Sequence, residues 1–160
     1  MITQFKIFEG ITYPFEQSID QYDNVIYTFT NKTGTKYEVT FADLLMSYQT
    51  DKKGLDETNE FDLINVFTTL ASIVKDYLNR FDDEIYIDNI DTKKEQEIIL
   101  KKVKNDTAKA LDLSRKTQNK RTENMKIFLA AKLSKKYKIE VLDDAVNMIH
   151  VYSKTKQLEL

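Results

Sequence analysis

Residues 35–41 alternate cleanly between polar and apolar side chains, which places Tyr37, Val39 and Phe41 on one face of a strand. Before them, residues 25–30 (Val-Ile-Tyr-Thr-Phe-Thr) are rich in the β-branched and aromatic side chains that fit a pleated surface. Asn31-Lys32-Thr33-Gly34 lies between, with a glycine free to take a positive φ, so the two runs predict a β-hairpin. Residues 43–50 fit a third strand through Leu44, Met46 and Tyr48, or a short helix. Residues 51–56 are polar and predict a loop.

The period then changes to that of a helix. Leu63, Phe67, Leu70, Val74, Tyr77 and Phe81 follow three-and-four spacing, while Asp62, Asn65, Ser72, Lys75, Asp76 and Asn79 fall on the opposite face. Thr58 or Asn59 supplies an N-cap oxygen. Residues 84–88 predict a short strand. No glycine or proline follows Gly54, and residues 93–136 are helical in character almost throughout. They predict one helix of about 65 Å at 1.5 Å per residue, or two helices broken near 114–119. Residues 137–141 and 148–152 close the pattern as strands, and Gly10 and Pro14 mark an irregular start.

The 160 residues fit one domain with a real core. Cysteine is absent, which removes disulfides and thiolate chemistry and fits a reducing compartment. The start of the chain has no apolar run long enough for a signal peptide, and no stretch reaches the roughly 18 apolar residues of a membrane span. An intracellular protein, or one carried inside a particle made in a cell, is expected, with no membrane partner.

The net charge of −2 conceals a division. Residues 93–138 hold 15 Lys and Arg against 5 Asp and Glu, and the rest of the chain holds 9 against 21. Lys101, Lys102, Lys104, Lys109, Arg115 and Lys116, with Lys120 and Arg121, form the strongest interaction candidate, able to meet phosphates or an acidic protein surface. No nucleic-acid-reading motif surrounds them. The acidic remainder of a second copy is a further docking partner.

The order strand, strand, strand, helix, strand, helix, strand, strand resembles the central and C-terminal part of the GNAT N-acetyltransferase fold. The wording is also similar to a group of small uncharacterised tailed-bacteriophage proteins. The likeness rests on the hairpin of residues 25–41, on Thr58-Asn59 with Val66-Phe67-Thr68-Thr69, and on residues 121–133 followed by 137–154. It covers roughly residues 22–154. It implies an α+β fold with a GNAT-like mixed, mostly antiparallel sheet and two or three helices. The core would span about 22–90 and 121–154, interrupted by a basic helical insertion over about 91–120. It also implies a phage protein of the host cytoplasm or the virion. An active GNAT enzyme holds the pyrophosphate of acetyl-CoA on a glycine-rich turn at a helix N-terminus. The matching residues 54–60 keep one glycine and add Asp56, Glu57 and Glu60, which repel an anion, so no cofactor is expected.

Other chemistry is sparse, and no catalytic or metal-binding residue is assigned. His150 is the single histidine and has no companion motif, so a structural or surface role is expected. Asp82, Asp83, Glu84, Asp88 and Asp91 lack the glycine and spacing of a calcium loop and predict a solvated helix-to-strand connection. Lys36 and Glu38 fit an exposed strand face better than a nuclease site. Tyr137 or Tyr152 is a candidate for the general-acid tyrosine of GNAT enzymes, but core or rim packing is the expected role. These readings point to a protein that works by binding a protein partner or a second copy. A sequence-nonspecific nucleic-acid binder and an acetyl-CoA-dependent N-acyltransferase are the alternatives.

Overall fold

A computed structural model describes residues 10–50, 60–88, 100–143 and 147–155. Seven strands form one sheet: β1 (Phe15–Ile19), β2 (Val25–Thr30), β3 (Lys36–Ala42), β4 (Leu45–Thr50), β5 (Glu84–Asp88), β6 (Tyr137–Asp143) and β7 (Met148–Ser153). Their order across the sheet is β1-β2-β3-β4-β5-β7-β6. Every pairing is antiparallel except β4 with β5. Helix α1 (Glu60–Arg80) links the two parallel strands, and helix α2 (Thr107–Lys132) links β5 to β6. The protein is thus α+β, with a mostly antiparallel sheet. The expected N-cap at Thr58 or Asn59 lies outside the described residues.

The register fixes which side of the sheet is buried. Val25, Tyr27 and Phe29 align with Phe41, Val39 and Tyr37, and Phe41 aligns with Met46. Ile85 and Ile87 continue this face onto Val151 and Ile149. Both helices pack on it through Phe67, Leu70, Val74, Met125 and Leu129, all at most 2% exposed. Removing this apolar surface from water is the main stabilisation of the fold. Ring contacts add direction to it: Phe41 stacks on Tyr77 at 3.9 Å between centroids and Phe29 on Tyr37 at 4.8 Å.

The predicted hairpin forms, with its turn shaped by Asn31. The Asn31 Oδ1 accepts from the Thr33 and Thr35 amides at 3.1 and 2.8 Å, and Gly34 takes φ 86°. Residues 45–50 are a strand, reached through a two-residue turn in which Asp43 and Leu44 both have positive φ (49° and 71°). That geometry matches the right-handed twist of a hairpin, but a leucine Cβ crowds the backbone there. Replacing Asp43-Leu44 by Asn-Gly should therefore raise stability by about 1 kcal/mol, read as a higher urea midpoint at unchanged slope.

Three features depart from expectation. Strand β1 extends the sheet upstream of residue 22, where an irregular start was predicted. Residues 107–132 form one uninterrupted helix. The break falls earlier, where Lys104 and Asn105 turn to positive φ and Asp106 caps α2 by accepting from the Lys109 amide at 3.2 Å. Finally, the polar side of α1 is covered. Asp62, Thr68 and Thr69 are buried because residues 10–14 run along it. The Ile11 amide donates to Asn65 Oδ1 at 3.0 Å and the Tyr13 amide to Thr69 Oγ1 at 2.9 Å. The Tyr13 hydroxyl donates to Asp62, which also accepts from Asn31 Nδ2 at 2.5 Å. A Cβ at Gly10 would lie 2.8 Å from Ile64 Cγ2, so only glycine allows this approach.

Candidate interaction surface

Helix α2 has two halves of different character. From Arg121 onward it joins the core: Arg121, Thr122, Met125, Phe128 and Leu129 are buried. Between residues 107 and 120 no described side chain is buried. The first half is therefore a limb of about 21 Å, at 1.5 Å per residue, that adds no described buried side chain to the core. Burial along the helix begins at Arg121. The limb is fixed at its root, since Asn147 accepts from Thr122 Oγ1 at 3.1 Å and donates to Gln118 Oε1 at 3.3 Å. Asn147 takes φ 54° to reach both.

Seven of the eight predicted contact residues lie on this projection or just before it, and all are exposed: Lys101, Lys102, Lys104, Lys109, Arg115, Lys116 and Lys120. Arg121 departs from the set. It is 6% exposed and turned into the fold, so its charge is not presented with the others. Asp112 accepts from Arg115 Nη2 at 3.1 Å and pairs with Lys116 Nζ at 3.1 Å. The hydrogen bond from Lys116, followed by that from Arg115, holds the Asp112 carboxyl below its ordinary range. Both pairs are solvent-exposed and have weak claims on their partners. At the centre lies Leu111, 68% exposed, beside an open depression lined by Ala108, Leu111, Asp112, Ser114, Arg115 and Gln118. The sequence pattern, which gives this region a thin apolar stripe, does not reveal that Leu111 lacks cover.

Helices α1 and α2 both pack on one side of the sheet, and the other side is formed by the outward strand positions. There β5, β7 and β6 bring together residues far apart in sequence. Tyr86 aligns with His150, and His150 with Glu140. His150 Nε2 is 2.8 Å from Glu84 Oε2. Its ring stacks between Tyr86 at 4.2 Å and Tyr152 at 4.4 Å. Lys138 pairs with Glu140 at 3.0 Å, an interaction that raises the lysine pKa and lowers that of the glutamate. The single histidine thus has a carboxylate partner, which strand alternation alone could not reveal because it depends on the β5–β7 register.

The remaining candidates scatter. Tyr137 is buried on the helix-covered face beside Leu133, away from Tyr152. Lys36 and Glu38 share the outward side of β3, with Glu38 opposite Thr28 and Gln49. Asp82 caps the Asp83 amide at 2.7 Å, and Asp91 lies outside the described residues. Among the described residues, no three histidine, aspartate or glutamate side chains gather as metal ligands. The described part of the candidate pyrophosphate segment is Glu60 alone; residues 54–59 lie outside. No helix among the described residues is long and apolar enough to cross a membrane. No family model, curated protein or solved structure matches the chain.

Proposed function

We propose that this protein works by binding an acidic protein partner through its basic helical limb, as an accessory or structural protein of a tailed phage. One observation carries the reading: the first half of α2 has no buried side chain among the described ones and exposes Leu111 (68%) beside Arg115, on a helix that also carries the exposed Lys109 and Lys116. An apolar anchor within a charged rim is the anatomy of a protein interface. Contact with phosphates needs the bases but not the leucine.

Two probes separate these readings: a labelled helical peptide of glutamate and leucine, and a random-sequence DNA duplex. The peptide should bind, and Leu111→Asp should weaken it at least tenfold. Lys109→Glu, Arg115→Glu and Lys116→Glu together should abolish binding. If DNA binds instead, with affinity falling steeply in salt and indifferent to Leu111→Asp, the partner is a nucleic acid. Should neither probe bind better than to the charge-reversed chain, the limb is not a contact surface.

A GNAT-like reading of the fold has support of its own. The elements from β2 to β7 follow the order on which that resemblance rests. An acyltransferase predicts a rise in Tm with acetyl-CoA, because a ligand of the native state must stabilise it. The binding reading predicts no change.

A further inference from the structure

We propose that the basic limb of one molecule docks on the outer face of the sheet in a second copy, an inference that rests on the limb being a contact surface. The outward register positions of the strands carry Glu16, Glu38, Glu84, Asp88 and Glu140 against Lys36 and Lys138 alone. The limb and the residues just before it carry seven exposed bases against Asp106 and Asp112. One chain thus presents two surfaces of opposite sign.

The apolar features also match. Leu45 aligns with Tyr86 across the parallel pair and is 38% exposed, giving an apolar spot on the acidic face. Leu111 is the corresponding spot on the basic limb. The dimensions agree as well: seven strands about 4.8 Å apart span roughly 29 Å, enough to receive a 21 Å helix segment. The stacked Tyr86, His150 and Tyr152 rings, held by the Glu84–His150 contact, give that face a firm floor.

A molecule does not satisfy its own limb, because the helix that carries it packs on the opposite side of the sheet. Reciprocal exchange between two copies satisfies both limbs and closes the assembly with twofold symmetry. Opposite charge governs the encounter, so the association weakens as salt screens it.

Light scattering at low and at high ionic strength tests this. At low salt the mass should exceed the 18.8 kDa of one chain and should return to it at high salt. A limb-reversed chain (Lys109→Glu, Arg115→Glu, Lys116→Glu) and a face-reversed chain (Glu16→Lys, Glu38→Lys) should each be monomeric. Mixed, they should associate, since the acidic limb of one then meets the basic face of the other. Unchanged urea midpoints establish that both variants fold. A wild-type monomer at low salt, or an association untouched by either reversal, overturns the proposal. A wild-type monomer that still binds the glutamate–leucine peptide sinks self-docking alone, whereas loss of both removes the limb reading as well.

Discussion

Phe67→Ala is expected to lower the unfolding free energy by about 3–5 kcal/mol, the range for truncating a buried aromatic ring. Phe67 is 2% exposed and faces Phe128 at 5.7 Å, so its ring joins α1 to the rooted half of α2. Truncation loses the transfer energy of the ring and leaves a cavity that two helices fixed on one sheet close only in part. Reversing Lys109, Arg115 and Lys116 should change stability by less than about 0.5 kcal/mol, as is usual for surface positions. Urea unfolding at fixed ionic strength measures both. The contrast is the test of the two-part helix. A limb triple variant as unstable as Phe67→Ala would mean that the limb is packed, and a mild Phe67→Ala would mean that the helices do not share a core.

The elements legible in the sequence are those whose cause is local. Residues 25–41 form the predicted hairpin because alternation and an Asn-to-Gly turn specify it without help from the rest of the chain. The apolar stripe of α1 is equally local. Its covered polar side is not: Asp62 and Asn65 read as solvent-facing until residues 10–14 lie over them, in contacts spanning 49 and 54 positions. Strand β1 was illegible because Phe15 and Gln17 face the core side only in part at the sheet's edge. Asn105 is a natural residue for the left-handed turn that ends the preceding helical segment, whereas Lys104 carries no such signal. The limb was visible as a run of charge, but whether it packed or projected depended on where burial in α2 begins. The Glu84–His150 contact required the strand order, in which β7 inserts between β5 and β6.

Stability should fall steeply above pH 10, and buried phenols are the reason. Burial, first of all, raises the pKa of Tyr13, Tyr27 and Tyr77; hydrogen bonds to Asp62 and Asp76 add to the effect at Tyr13 and Tyr27, and the nearby charge of Asp82 adds to it at Tyr77. A neighbouring carboxylate favours the neutral phenol because a phenolate beside it would place two negative charges together. Each group is therefore protonated more strongly in the folded chain than in the unfolded one. Its contribution is fully present below the unfolded value near 10 and is lost as pH rises through the folded value. In that window the unfolded state binds fewer protons, so each tyrosine reduces stability by at most about 1.4 kcal/mol per pH unit. Denaturant midpoints between pH 8 and 11 should show this slope, and Tyr27→Phe should remove about a third of it. Phenolate absorbance gives the second readout: Tyr13, Tyr27 and Tyr77 should ionise only as the chain unfolds. Their ionisation in a chain that stays folded would mean that the Tyr13–Asp62 and Tyr27–Asp76 contacts do not hold the N-terminal segment and the sheet against α1.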